Sequence, residues 1–374
     1  MADASGVVCL DYNDLVQGAG KDLTADIQRA FGVNGLGILT VKNVPGFVAA
    51  REALLPLARE FALLDDGVKL KYIHEASKFS FGWSHGKEKL QGKPDESKGS
   101  YYANPQFDRP VNDEAIIAQY PAFVHPNIWP AEDLPALEPA FKQLGQLIVS
   151  IGTLVAHQCD SFLQSKCSTY QPGRLARVIG ESLCCKARLL HYFPMASAGS
   201  VASNSDGSRD STTNSANDDF SSWCGWHNDH GSITGLTSAL FMDAAGNAVA
   251  NTDPTAGLYI CSRSGEMVKV SIPPDQIAFQ IGETAQIHSG GHLQATPHAV
   301  RGSNVPGVSR ETFAVFMEPN WTESMDVPEG IAPESAQSQA AAASLPPGVP
   351  SLASRWNPAQ TFGDFTDSTL SSYY

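Results

Sequence analysis

From residue 188 onward the chain reads as short β-rich runs, RLLHYF (188–193), ITGLTSALFM (233–242), GLYICS (257–262), MVKVSI (267–272), IAFQIG (277–282) and TFAVFME (312–318), set apart by Gly, Pro and Asn. Strands of that length and spacing predict a sandwich or barrel, and we read them as a jelly roll. Just upstream, LEPAFKQLGQLIVSIGTLVAHQCDSFL (137–163) carries apolar residues every three or four positions. That period predicts a long helix laid lengthwise against something flat, and the sheet is the obvious partner.

Working further towards the start, VVCLDY (Val7 to Tyr12) predicts a short strand, DLTADIQRAF (Asp22 to Phe31) a helix, GLGILTVKNV (Gly35 to Val44) a second β run and Gly46 to Leu64 an amphipathic helix. Together they make an α/β cap. Lys78 to Pro110 has no clean period and reads as long ordered loops or short hairpins, in which Lys87, Lys89, Lys93 and Lys98 form a solvated basic cluster. Ala196 to Ser222 and Ser335 to Pro350 are low in complexity and read as surface excursions.

The chain has 374 residues, 42% of them hydrophobic, enough for one large core or two modest ones. A net charge of −14 speaks against nucleic acid and anionic membranes as partners, since both are held by Lys and Arg. A small-molecule substrate is the expected partner. No apolar run reaches the roughly 18 residues of a membrane span, and the first residues lack the pattern of a signal peptide, so we expect a cytoplasmic protein. The seven cysteines include an adjacent pair, Cys184 and Cys185, and no CxxC spacing. They read as buried small hydrophobes in a reducing compartment.

The chemistry concentrates in WHNDHGSITGL, Trp226 to Leu236. On a strand His227 and Asp229 project to one side, with Asn228 and His230 on the other, so an imidazole and a carboxylate can grip one ion. A third ligand belongs on a distant strand, and His298 in HLQATPHAV is the candidate. Two histidines and a carboxylate on one face of an octahedron leave three positions open, the arrangement of non-haem iron(II) oxygenases. Further on, Arg310 and Thr312 stand two apart on a predicted strand. A guanidinium beside a hydroxyl is a natural clamp for one carboxylate.

These residues, in this order, resemble the iron(II)- and 2-oxoglutarate-dependent dioxygenases, in the branch that includes isopenicillin N synthase. His227-Asn228-Asp229-His230-Gly231 stands for the family's His-x-Asp-His-Gly. Gly257 to Ile260, Met267 to Ile272, Gly282-Glu283, Ser289-Gly290-Gly291, His298 and Arg310-x-Thr312 follow as its later motifs do. The resemblance covers nearly the whole chain. It departs in having Glu283 for Asp, Ala299 for Arg, Thr312 for Ser, and His191 where Asn is usual.

The resemblance implies an α+β, mainly β fold: a double-stranded β-helix (jelly roll) with an α/β N-terminal cap and a long supporting helix. Residues 1–135 would be the cap and 136–374 the supporting helix and core, as one compact unit. It implies Fe(II) at His227, Asp229 and His298, with His230, His288 and His292 beside the site. Arg310, Thr312, Tyr192 and His191 would hold 2-oxoglutarate, and Trp83, Tyr101, Tyr102 and Asn104 would touch substrate. The reaction would consume O2 and 2-oxoglutarate, release succinate and CO2 and hydroxylate a small organic molecule, with ascorbate as reductant. Two other readings stand beside it. One is a 2-oxoglutarate-independent iron oxidase of the isopenicillin N synthase or aminocyclopropane-carboxylate oxidase type, in which Arg310 holds the substrate's carboxylate. The other is a non-catalytic binding protein, or a zinc hydrolase on the same triad.

Overall fold

The computed structural model describes residues 6–17, 21–87, 89–90, 93–194, 223–251, 253–337 and 345–373. The excursion read at Ala196 to Ser222, the middle of Ser335 to Pro350, and the side chains of Lys89 and Lys93 lie outside the described residues.

Strands follow the β-rich runs closely. In chain order they are β1 (Val8–Asp11), β2 (Ile38–Lys42), β3 (Gly82–His85), β4 (Lys89–Leu90), β5 (Lys93–Pro94), β6 (Lys98–Ala103), β7 (Lys186–Tyr192) and β8 (Cys224–His227). There follow β9 (Ile233–Thr237), β10 (Leu240–Met242), β11 (Ala248–Val249), β12 (Gly257–Cys261), β13 (Met267–Val270), β14 (Ile277–Ile281), β15 (His298–Arg301) and β16 (Ser309–Met317). The large sheet has the order β1-β2-β14-β9-β16-β7-β6-β3, with β10 and β11 attached beside β16, and a second sheet runs β13-β12-β15-β8. From β7 onward the chain passes repeatedly from one sheet to the other, β7 to β8, β9 to β12, β13 to β14, β14 to β15, β15 to β16. The two sheets close on each other as a double-stranded roll.

Side-chain alternation divides the large sheet into two chemistries. On β16, Phe313, Val315 and Met317 join the core beneath the helices, while Arg310, Thr312, Ala314 and Phe316 face the interior of the roll. On β7, Ala187 and Leu189 face the helices, and Arg188, Leu190 and Tyr192 face inward.

The helix Leu137–Lys166 lies along the outer face, against β9 and β16. Its approach is set by glycines. A Cβ on Gly235 of β9 would sit 2.2 Å from Ile148 of the helix, and one on Gly152 of the helix 2.4 Å from Met317 Sδ. The helix Phe47–Ala62 covers β6, β7 and β16 beside it. Among the described residues, no helix is long and apolar enough to cross a membrane.

Two readings of the loop region need correction. Residues 82–85 and 98–103 are strands that extend the large sheet, pairing β3 with β6 and β6 with β7. Trp83 and Tyr101 are therefore core residues, 4% and 1% exposed. Their rings pack on Phe61 at 5.2 and 4.8 Å, and the Tyr101 hydroxyl donates to the Ile128 carbonyl. Asn104 braces a turn: its Oδ1 accepts from the Gln106 and Phe107 amides at 2.9 and 3.0 Å, and its Nδ2 donates to the Leu183 carbonyl at 2.8 Å. Burial and these bonds commit all three to the protein's own packing. The basic cluster is also not uniformly solvated, because Lys98 is buried in an ion pair with Asp95.

The Gly235–Ile148 contact yields a stability prediction. Gly235→Ala should lower the free energy of unfolding by about 1–3 kcal/mol, since neither the strand nor the helix can withdraw freely. Urea denaturation measures it, and an unchanged midpoint would show that the glycine does not set the helix-to-sheet distance.

Candidate metal centre

β8 ends on His227 and β15 begins on His298, and the two histidines face each other across the antiparallel pair. Asp229 lies past the end of β8. Strand alternation therefore does not aim its carboxyl, which corrects the view that both residues project from one strand.

A backbone grip aims it instead. Residues 282–284, at the start of the short helix Glu283–His288, hold the turn 228–232. The Gly282 amide donates to the Ser232 carbonyl at 3.0 Å, Glu283 to Asp229 at 2.8 Å and Thr284 to Gly231 at 3.1 Å, and the Thr284 hydroxyl donates to the His230 carbonyl at 2.6 Å. Position 282 has to be glycine, because a Cβ there would lie 2.1 Å from the Gly231 carbonyl oxygen. So held, Asp229 Oδ1 stands 3.8 Å from His227 Nε2 and 3.7 Å from His298 Nε2.

Each of the three has a partner that orients it. His227 Nδ1 donates to the Gly225 carbonyl at 2.8 Å, and His298 Nδ1 to the Thr296 carbonyl at 3.3 Å, so each ring turns Nε2 towards the place a metal would occupy. The Thr234 hydroxyl donates to Asp229 Oδ2 at 2.6 Å and leaves Oδ1 free to ligate. The donor atoms of the three lie within 4.8 Å of one another, and no other group of three His, Cys, Asp or Glu among the described residues does so. Two imidazoles and one carboxylate, with no fourth such donor among the described residues, suit iron(II) with open coordination positions.

The rival histidines, His230, His288 and His292, lie outside the triad. His230 stacks on Phe362, and His288 Nε2 donates to the Ser324 carbonyl at 2.9 Å.

Charge at the centre is uneven. Burial opposes a proton on His227, but the Cys224 thiolate, its Sγ 3.9 Å from Nδ1, and the Asp229 carboxylate outweigh burial and lift its pKa to about 9. Burial and the neighbouring His227 bring His298 down to about 4. The Asp229 carboxyl is disfavoured as an anion by burial yet ends below its ordinary value, because the two histidines and Thr234 stabilise the charge.

Beside the triad the interior of the roll opens into a cavity of about 480 Å³. Its walls are largely apolar, with Leu190, Leu258, Val300 and Phe316 among them, and Arg310, Thr312, Tyr192 and Arg188 line the same space. Arg310 is 7% exposed. Its guanidinium lies over the Tyr192 ring at 4.8 Å, while Nε and Nη1 have no hydrogen-bond partner in the protein. Thr312 lies on the same face, its hydroxyl 3.4 Å from the Thr237 carbonyl. A buried guanidinium with open donors facing a cavity fits one carboxylate well.

His191 does not join them. Alternation turns it to the opposite face of β7, where its Nδ1 meets Glu311 Oε2 at 2.8 Å, both residues buried. Its reading as a 2-oxoglutarate contact is corrected on that ground. Tyr102 does not line the cavity either, but its ring lies 5.0 Å from the Arg188 guanidinium, which does. Sequence reading passed over Arg188, Cys224, Thr234 and Thr237. Thr234 lies within the quoted WHNDHGSITGL run, and only its place opposite Asp229 distinguishes it from any strand threonine.

No family model matches the chain, and no curated protein does. Solved structures do resemble it. A 2OG-Fe(II) oxygenase family protein from Caulobacter crescentus superimposes with a TM-score of 0.64 at 17% identity, over 99% of this chain and 100% of that one. A full-length Neurospora crassa protein in complex with alpha-KG and thymine gives 0.65 at 18%, over 100% and 99%. JOX2 in complex with 2OG, Fe and JA gives 0.61 at 15%, over 97% and 85%. At these identities the likeness establishes the fold: this chain is built as the 2OG-Fe(II) oxygenases are.

A metal entering the triad has to displace the proton that Cys224 and Asp229 stabilise on His227. Affinity for cobalt(II), used as an air-stable probe, should therefore rise as pH is raised toward about 9. Cys224→Ala should move that rise to lower pH, read by titration at several pH values. A pH profile identical in the variant would show that the thiol does not govern the proton.

Proposed function

We propose that this protein is an iron(II)- and 2-oxoglutarate-dependent dioxygenase that oxidises a C–H bond of a small organic substrate, with hydroxylation as the outcome. One observation carries the reading. A triad of two histidines and a carboxylate and a buried guanidinium with unpartnered Nε and Nη1 share one cavity. The first needs an open-sided metal and the second needs an acid, and 2-oxoglutarate is a ligand that meets both at once. The Neurospora crassa protein with alpha-KG and JOX2 with 2OG and Fe support the same pairing on the same fold.

In this reading His227, Asp229 and His298 hold the iron, Arg310 and Thr312 bind the far carboxylate of 2-oxoglutarate, and the Tyr192 ring keeps the guanidinium flat beneath it. When bound, iron(II) supplies activation of O2 coupled to oxidative decarboxylation of 2-oxoglutarate to succinate and CO2. The protein's share is to fix the co-substrate's orientation through Arg310, to hold the substrate against the apolar walls, and to keep bulk water from the reacting carbon. The alternative, a 2-oxoglutarate-independent oxidase, would give Arg310 to a carboxylate of the substrate itself. Residues 1–135 and 136–374 act as one unit in this view, since β1, β2, β3 and β6 lie in the same sheet as the roll's β7, β9, β14 and β16. The −14 charge favours a small molecule over nucleic acid or an anionic membrane as partner.

Incubation with iron(II), ascorbate, oxygen and labelled 2-oxoglutarate should yield labelled succinate, faster when a true substrate is present. Absence of succinate across a panel of small-molecule substrates would rule out the co-substrate. Arg310→Leu should raise the KM for 2-oxoglutarate by about tenfold to a hundredfold, the loss expected of hydrogen bonds between charged partners worth ~1.5–3 kcal/mol. Equal KM values in variant and parent would remove Arg310 from the site.

A further inference from the structure

The turn that carries Asp229 is braced from behind by buried polar groups that end in the C-terminal segment of the chain. Asn228, 4% exposed, donates from Nδ2 to Glu283 Oε1 at 3.0 Å. The same oxygen accepts from Arg355 Nη2 at 2.6 Å, and both side chains of this ion pair are fully buried. Arg355 in turn is anchored on the C-terminal helix Phe362–Tyr373, where its Nη1 donates to the Thr369 hydroxyl at 2.8 Å. That helix begins with Phe362, whose ring stacks on His230 at 5.7 Å.

We propose that Arg355 is a positioning residue for the metal centre, acting through Glu283 and Asn228, so that the C-terminal segment is part of the apparatus that sets Asp229. The inference rests on reading His227, Asp229 and His298 as metal ligands. Its physical basis is the cost of a lone buried charge. With Arg355 in place, the Glu283 carboxylate is balanced and can accept from Asn228. Without it the carboxylate is an uncompensated charge at a fully buried position, and it draws in water or reorients. Either response releases Asn228, the residue between His227 and Asp229, and loosens the turn at the point where a metal needs its carboxylate held. Outer groups that orient ligands in this way typically govern metal affinity by about tenfold to a hundredfold.

The full-length protein and cobalt(II), with its visible absorption bands, provide the test, without recourse to turnover. The parent protein should bind one cobalt(II) through the triad, and failure at this step would overturn the metal reading itself. Arg355→Met should weaken cobalt(II) by about tenfold or more and alter its absorption bands, with partial recovery in Arg355→Lys. Trp356→Phe is the structural control. It removes a buried bond to the Met325 carbonyl from the same segment without touching Glu283, so it should lower the melting temperature and leave cobalt(II) affinity unchanged. If Arg355→Met does not fold, Arg355→Gln, which can still donate to Glu283 but leaves its charge unbalanced, carries the test, and weakened cobalt(II) binding is expected there too. Parent-like cobalt(II) affinity in the folded Arg355 variants, or an equal loss in Trp356→Phe, would overturn the inference while leaving the metal site intact.

Discussion

The backbone of the turn 228–232 and that of residues 282–284 lie so close that the Gly282 hydrogen fills the space where any side chain would meet the Gly231 carbonyl. Hydrogen bonds from three successive residues cross this contact. The arrangement of His227, Asp229 and His298 depends on it, because β8 and β15 bring only the two histidines together. The carboxylate arrives by a loop, and a loop keeps an ångström-level position only when its own polar groups are satisfied from outside. Here the satisfaction comes from the start of a helix more than fifty residues away, and behind that from Glu283 and the C-terminal segment.

The second organising constraint is the pleat. One residue of β16 faces helices and the next faces the cavity, so Arg310 and Thr312 share a strand with Phe313 and Val315 and yet serve an entirely different environment. The same rule takes His191 from the site and gives Tyr192 to it. Burying a guanidinium with open donors is costly in free energy unless something completes it. The protein offsets part of that cost with the Tyr192 ring, and the remaining open donors are what a bound acid would satisfy.

Much of the fold is legible in the chain alone. The runs at 233–242, 257–262, 267–272 and 277–282 coincide with β9, β10, β12, β13 and β14 apart from small breaks, and the helix expected over 137–163 runs Leu137–Lys166. Local sequence dictates these because burial on one or both faces imposes a period. The region 78–110 is opaque for the opposite reason. In KGSYYA (98–103) the core-facing positions hold Gly99 as well as Tyr101 and Ala103, and Gly99 is small because Trp83 lies over it. An alternation in which one member is absent leaves no periodic signal.

His227, Asp229, His298, Arg310 and Thr312 stand as candidates from residue type and the order of motifs along the chain, which the sequence displays directly. Which face each strand turns to the cavity, and hence that Tyr192 lines it while His191, Trp83, Tyr101 and Asn104 do not, depends on pairing with strands far away in the chain. So does the means by which Asp229 is aimed. Its neighbours Glu283 and Arg355 are separated from it by more than fifty and more than a hundred residues, and hydrogen bonds across such distances exist only once the roll has closed.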